Sequence, residues 1–289
     1  MKSALWDKKA LLGSPLFFPL HPVIAPLAEE GFPSMQDCND LLLSHQPPIT
    51  VRNGLPLRFV AQEYGKLEFE AQYEPRCYLK GEVQTRADNW HDLLNALVWL
   101  TFPKAKAVIN MRHYQALTQA GQDSERMLMG DAVERSQRGA VRDMSTLFDE
   151  SGVVVACAEE ELGQLLCDFR WRELFWQQRE RVRARMGFFL FGHGLYEKAL
   201  HPYVGVTGQG LLIPVEAAFF GWPLERQLTH LDELLAAYLA APAHCRSTAE
   251  LTPVPLLGVP GWAAENAEET YYDNAAYFRP GRRKVKAMR

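Results

Sequence analysis

The sequence predicts an α+β fold, formed by a single domain of hairpins and helices with an extended N-terminal arm. Hairpin signals and amphipathic helical patterns alternate along the chain without the regular strand–helix–strand order of a parallel sheet. With 289 residues, 47% of them hydrophobic, the chain is long enough to bury a sizeable core. We therefore expect a Pro-rich arm and short helix at residues 1–50, the main domain at 51–280, and a basic, disordered tail at 281–289.

The composition narrows the functional classes. A formal net charge of −4 gives no overall attraction to nucleic acid or to a membrane surface. The five cysteines form no C-x-x-C pair, which argues against a disulfide framework or zinc knuckle and favours a cytoplasmic compartment. Prolines interrupt the apolar N-terminal run, so we interpret it as an arm and not a signal peptide. No window reaches the roughly 18 uninterrupted apolar residues of a membrane span, so no membrane contact is expected.

The elements of the first half are predicted from periodicity and capping. Residues Met35–Ser44 have a helical pattern, and alternation at 57–61 and 67–71 about a glycine turn predicts a β-hairpin. Asp88 or Asn89 can cap a helix that begins near Trp90 and ends or kinks at Pro103. The remaining elements before residue 140 are a helix at 104–120 and a loop with one helical turn at 121–139.

The second half also alternates between helix and strand. Residues 143–148 and 153–157 flank the turn DESG and predict a second hairpin. Arginine at every second position from Arg179 to Arg185 predicts a strand with four guanidinium groups on one face. The other predicted elements are helices at 158–178, 193–200 and 223–240, a buried strand at 209–217, and an irregular region from residue 252.

The stretch from Trp90 to Tyr114 is the densest set of chemically capable residues. Imidazole, carboxylate and amide groups could bind a divalent cation, or form a general base with its orienting partner. The alternative is structural, with the same groups capping a helix and satisfying buried backbone, since no H-E-x-x-H motif is present. The candidates are His91, Asp92, Asn95, Asn110 and His113.

Three further patterns could carry chemistry. His193 and Glu197, at i and i+4, would share one helix face, as a cation site or as an ordinary surface hydrogen bond. Asp143, Asp149 and Glu150 could form a cation site with oxygen ligands, although turn chemistry alone explains Asp149 and Glu150. The arginines from 179 to 185 suit phosphate contacts, or else form a solvated edge that prevents strand pairing.

Four ordered motifs resemble one uncharacterised bacterial family, a domain of unknown function found mainly in proteobacteria. They are WHDLLNALVWLTFPKAKAVIN, RDMSTLFDESGVVV, FGHGLYEKAL, and PGW followed by YYDNAAYFRP. The resemblance covers Phe59 to Pro280. It implies a single domain and a cytoplasmic bacterial protein, and it brings no activity, cofactor or catalytic residue.

We interpret the chain as a metal-assisted hydrolase that acts on an anionic, phosphoester-like substrate. The alternative is a non-catalytic adaptor that uses its arginine face and aromatic tail to bind a nucleic acid or a protein. Neither a nucleophile motif nor a nucleotide-binding fingerprint is present. The assigned residues are His91, His113 and His193 for zinc, manganese or iron, Asp92, Glu197 and Asn110 for catalysis, and Arg181, Arg183 and Trp99 for the substrate.

Overall fold

The computed structural model describes residues 5–125 and 132–281, and its α+β class confirms the prediction. The helices within this part are α1 (Lys8–Gly13), α2 (His21–Ile24), α3 (Met35–Ser44), α4 (Tyr73–Lys80), α5 (Trp90–Thr101), α6 (Pro103–Glu125), α7 (Ala132–Ser151), α8 (Glu160–Cys167), α9 (Arg179–Arg185), α10 (His193–Ala199) and α11 (Leu224–Ala240). The strands are β1 (Arg58–Ala61), β2 (Glu82–Thr85), β3 (Gly152–Cys157), β4 (Met186–Leu190), β5 (Thr207–Pro214) and β6 (Thr252–Pro255).

A four-stranded sheet in the order β4-β3-β5-β6 forms the centre of the molecule. Strand β3 pairs antiparallel with β4 and parallel with β5, and all its residues are buried. Its sequence GVVVAC is a short run of small and β-branched residues, as expected for a strand covered on both faces. The sheet therefore fixes the positions of α7, which leads into β3, and of α10, which follows β4.

Both predicted hairpins are wrong. Strand β1 pairs in parallel with β2, and residues 67–71 are largely exposed and include a short 3₁₀ turn, Phe69–Ala71. Because that stretch buries no apolar face, it gains nothing by pairing, and Asn39 satisfies both backbone groups of Phe59 instead. Residues 143–148 belong to α7, where Met144 and Phe148 are buried at i and i+4, so DESG ends a helix.

The predicted strand at 179–185 is also wrong, because these residues form α9. Only Val182 is buried there, and arginine, glutamate and alanine all favour helix. The helix predicted at 158–178 stops early, since Phe169 has a φ of 60°, which an α-helix cannot continue. The loop predicted at 121–139 is partly helical, and residues 126–131 lie outside the described part.

Of the helices around the cleft, α5, α6 and α10 were predicted, whereas α4 and α7 were not. Helix α5 begins after Asn89, whose side chain accepts a hydrogen bond from the backbone N–H of Asp92 at 3.0 Å. Helix α6 begins at Pro103, and the Asp232 carboxylate accepts the free N–H groups of Lys104 and Ala105. These two caps fix where α5 and α6 begin, and both helices line the cleft.

The N-terminal arm packs against the body with a helical backbone rather than an extended one. Alongside α1 and α2 it contains a 3₁₀ segment, Pro15–Leu20, and Phe17, Leu20 and Ile24 are fully buried or nearly so. The domain boundaries at residues 50 and 280 stay a prediction, and residues 282–289 of the predicted basic tail lie outside the described part. Among the described helices, none has the length and apolar character needed to cross a membrane.

Candidate metal centre

An open cleft of about 380 Å³ lies between α4, α5, α6, α7 and the start of α10. Polar and charged side chains dominate its lining, and they come from segments far apart in sequence. They include Tyr73, Glu74, Arg86, His91, Asp92, Asn95, His113, Arg142, Thr146, Asp149, Glu150 and His193.

Three side-chain atoms converge on one point of this cleft. The Nε2 atoms of His91 and His193 lie 3.0 Å apart, and Glu150 Oε1 lies 3.8 and 3.5 Å from them. Metal bonds of about 2.0–2.2 Å in tetrahedral or octahedral geometry place ligand atoms about 2.8–3.6 Å apart. The three atoms are therefore spaced close to what one divalent cation requires.

A hydrogen bond to Glu197 turns the Nε2 lone pair of His91 toward this point. His91 Nδ1 lies 3.1 Å from Glu197 Oε2, and because a carboxylate only accepts, Nδ1 carries the proton. His193 Nδ1 is buried, faces Asp149 Oδ2 at 3.7 Å, and has no hydrogen bond within the described residues. Three bare acceptors at these distances repel one another, and either a proton on His193 Nε2 or a divalent cation among them removes that repulsion.

Carboxylates behind each imidazole complete the arrangement. Glu197 is hydrogen-bonded to His91, which is the carboxylate–histidine–metal pattern that orients metal ligands, and Asp149 lies behind His193 at 3.7 Å, beyond a hydrogen bond. Burial raises the pKa of Asp149, but the charges of Lys106 and His193 outweigh it and hold that pKa below its ordinary value. Hydrogen bonding to His193 likewise lowers the pKa of Glu150. Both carboxyl groups are therefore ionised at neutral pH.

Glycines on both sides of His193 allow α10 to approach the end of α7. A Cβ on Gly194 would lie 2.4 Å from Glu150 Oε2, and a Cβ on Gly192 would lie 2.4 Å from the backbone nitrogen of Ser151. The motif GHG is thus explained by close packing against Glu150, since only glycine leaves this space.

A second polar cluster lies in the same cleft around His113. Its Nδ1 lies 3.0 Å from Glu74 Oε1, and its Nε2 lies 3.3 Å from the Thr146 hydroxyl. Asn110 donates to both the side chain and the backbone carbonyl of Glu74. His113 therefore shares the cleft with His91 and His193, but both of its ring nitrogens have partners and it lies outside the convergent group.

The contacts of the Asp92 side chain are those of a residue that stabilises the fold. Its carboxylate accepts hydrogen bonds from the Arg86 guanidinium and from the Arg86 backbone N–H, at 2.7–2.9 Å. Burial raises the pKa of Asp92, but these hydrogen bonds outweigh it and hold the pKa below the ordinary value of 3.8. Its neighbour Asn95 donates to the hydroxyl of Tyr73 at 2.7 Å, on the same wall of the cleft.

We expect the Asp92→Asn variant to be less stable than the wild type by about 1–3 kcal/mol at pH 7, because charge-assisted hydrogen bonds are lost. The folded-state pKa is the lower one, so this difference is complete above pH 3.8 and shrinks as the pH falls through the folded-state value. Urea unfolding at pH 7 and at pH 3 measures it. A difference that grows in acid would contradict the assignment, and loss of hydrolysis without loss of stability would indicate a general base.

The residues predicted to bind the substrate lie elsewhere. Trp99 is buried within α5 beneath the ammonium group of Lys106. Arg181 pairs with Glu159, just before α8, and with Glu161 in α8. Arg183 pairs with Glu180. None of these three lines the cleft, whose guanidinium groups instead belong to Arg86 and Arg142.

Helix α7 supplies the site residues that the sequence interpretation did not assign. Arg142, Thr146, Asp149 and Glu150 are spaced at i, i+4, i+7 and i+8, so they share one face of the helix. All four line the cleft. This spacing is visible in RDMSTLFDE, but a strand was predicted at 143–148 and a turn at DESG, which separates Thr146 from Asp149 and Glu150.

Together the fold and the site define an α+β protein with a candidate divalent-metal centre in an open cleft. The chain belongs to the family described as protein of unknown function (DUF3025), whose profile matches residues 57–282. This confirms the family resemblance, while a proteobacterial origin stays a prediction. No curated protein and no solved structure matches the chain. The matched span contains every residue of the cleft named above.

Proposed function

We propose that the protein binds a divalent cation through His91 Nε2, His193 Nε2 and Glu150, and uses it to hydrolyse an anionic phosphoester-like substrate. The proposal rests on one observation, which is that these three ligand atoms converge at distances suited to a single cation. Two histidines and one glutamate leave coordination positions open for water and substrate in hydrolytic zinc enzymes. A cation held in this way lowers the pKa of bound water and polarises a phosphoryl oxygen.

The charge of the cleft supports an anionic substrate. One carboxylate ligand leaves a divalent cation with a net positive charge. Arg142 is exposed on the cleft face of α7, and among the residues whose side chains are described, which exclude 120–138, none forms a hydrogen bond or ion pair with its guanidinium group. It lies two helical turns from Glu150, about 12 Å along the axis. A small molecule with a phosphate at the cation can therefore place a second anionic or polar group near Arg142.

The three residues that the sequence analysis assigned to catalysis have other contacts in the structure, so we propose other roles for them. Glu197 accepts the Nδ1 proton of His91, so it orients a ligand and holds its tautomer. Asn110 holds the Glu74 carboxylate. Asp92 is occupied by Arg86, so its role as general base rests on the stability and activity measurements described above.

No observation favours the adaptor alternative, which stays a prediction. Its two supposed surfaces were the arginine face and the aromatic tail. Arg181 and Arg183 are paired with glutamates, and Tyr272, Tyr277 and Phe278 are buried.

Hydrolysis of bis(p-nitrophenyl) phosphate and p-nitrophenyl phosphate by the protein loaded with zinc, manganese or ferrous iron tests the proposal. We expect turnover that depends on the cation and stops when a chelator removes it. Cation binding without hydrolysis of either ester would overturn the hydrolase assignment and leave the metal centre.

We expect Arg142→Ala to lower kcat/KM for these anionic esters about 10–100-fold, the equivalent of one charge-assisted hydrogen bond. The zinc content should not change, because Arg142 is not a ligand. Arg181→Ala is the matched control, since its guanidinium group is paired outside the cleft. Equal losses in the two variants would show that overall charge, and not the cleft, determines substrate binding.

A further inference from the structure

We propose that His113 is the proton-transfer residue of this hydrolysis and that Glu74 positions it. The inference rests on the proposed function and goes beyond it, because it changes His113 from a metal ligand into the group that moves protons. It also assigns a role to the second polar cluster of the cleft.

The contacts of His113 determine its tautomer. Glu74 Oε1 lies 3.0 Å from Nδ1, and a carboxylate accepts, so the proton of the neutral ring is on Nδ1. The lone pair of Nε2 is then directed at the Thr146 hydroxyl, 3.3 Å away, which donates to it. A carboxylate behind one ring nitrogen and an acceptor lone pair in a cleft is the arrangement of a histidine general base.

The pair of His113 and Glu74 is held rigidly. Asn110 Nδ2 donates to Glu74 Oε2 and also to the Glu74 backbone carbonyl, so helix α6 fixes both the side chain and the backbone. Asn110 and His113 are at i and i+3 on α6, so they face α4 together. Both are buried, while the Thr146 side of the ring opens to the cleft.

The contact with Thr146 sets the distance of His113 from the metal centre. Thr146 lies one turn before Glu150 on the same face of α7, about 6 Å along the helix axis. His113, held against Thr146, is thus beside the metal centre without belonging to it. Arg142 lies one further turn away. A substrate lying along α7 would meet Glu150 and its cation, then His113, then Arg142.

The proton transfer that follows is balanced. When the attacking water replaces the Thr146 hydroxyl as the partner of His113 Nε2 and its oxygen forms the bond to phosphorus, Nε2 takes one proton from that water. As the bond between phosphorus and the leaving oxygen breaks, the same proton passes from Nε2 to that oxygen. The products are the alcohol and the phosphate, and His113 returns to its neutral form with Nδ1 still donating to Glu74.

The test compares His113→Gln with wild type, using zinc-loaded protein and bis(p-nitrophenyl) phosphate. Loss of a general base lowers kcat by about 10²–10⁴-fold. We expect that loss with an unchanged zinc content, and partial recovery of the activity of His113→Ala by added imidazole.

Glu74→Gln should lower kcat, and imidazole should not restore it, because the His113 ring is still present. His201→Gln, at an exposed histidine outside the cleft, is the matched control.

Each result decides between the possibilities. Loss of zinc from His113→Gln would make His113 a ligand and overturn the inference. A wild-type kcat in that variant would show that the cluster only holds α4, α6 and α7 together. A wild-type protein that binds no zinc, or binds it without hydrolysing the ester, overturns the proposed function itself, and the role of His113 falls with it.

Discussion

Replacing Glu150 with alanine should weaken zinc binding by more than about 100-fold, beyond the 10–100-fold range for loss of an outer partner. Glu150 is the only carboxylate in the convergent group, and it supplies the negative charge that two neutral imidazoles do not. Without it, His91 and His193 keep their positions but offer only two lone pairs. Isothermal titration with zinc, before and after the substitution, measures the change.

Two further variants give the zinc affinities with which that of Glu150→Ala is compared. Glu197→Gln keeps the shape of the side chain but removes the charge behind His91, so we expect a loss within the 10–100-fold range. Glu160→Ala is the control, because this glutamate is exposed on α8 and outside the cleft. An unchanged affinity in Glu150→Ala, or equal losses in all three variants, would contradict the ligand assignment.

Replacing Lys106 with methionine should destabilise the fold by about 3–5 kcal/mol, the effect of breaking a buried ion pair by removing one partner. Lys106 is 3% exposed and lies 2.5 Å from Asp149 Oδ1, and the Asp149 side chain is itself only 14% exposed. The substitution leaves an ionised carboxylate behind His193 without its countercharge. Urea unfolding of the zinc-free protein measures the loss.

The control for this prediction is the neighbouring lysine. Lys104 pairs with Glu233, and both side chains are more than half exposed, so Lys104→Met should change stability by no more than about 1 kcal/mol. Adding Asp149→Asn to Lys106→Met should recover part of the loss, because the unpaired charge is gone. If Lys106→Met costs no more than Lys104→Met, the pair does not carry the buried charge that we assign to it.

The parts of the fold that could be predicted are those determined by local signals. Asn89 before an apolar run defines the start of α5, and Pro103 defines its end. The leucines of α11 recur at helical spacing, and Leu228, Leu231, Leu235 and Leu239 are buried as that spacing predicts. In each case neighbouring residues decide the conformation, so no information from distant segments is needed.

The predicted secondary structure is wrong where contacts with residues distant in sequence determine the conformation. Strand β1 could not be assigned to β2 from its own alternation, because the pairing joins Arg58 to Glu82 across an intervening helix. The run at 143–148 contains apolar residues that fit a strand or a helix face. Packing in α7, where Met144 and Phe148 are buried, decides in favour of the helix.

The same limit applies to the site. The sequence nominated His91, His193 and Glu197 from residue type and spacing, and the fold brings all three together. It could not reveal that Glu150 meets both imidazoles, because DESG has the composition of a turn. The sequence also could not show that His113 lies outside the group of metal ligands, because its position depends on a contact with Glu74 of α4.

X-ray absorption at the zinc edge of the loaded wild-type protein tests the metal centre most directly. We predict close to one zinc per chain, with only nitrogen and oxygen neighbours at about 2.0–2.2 Å and the scattering pattern of two imidazole rings. A protein that retains no zinc, or a spectrum with sulfur at about 2.3 Å, would contradict a centre formed by His91, His193 and Glu150.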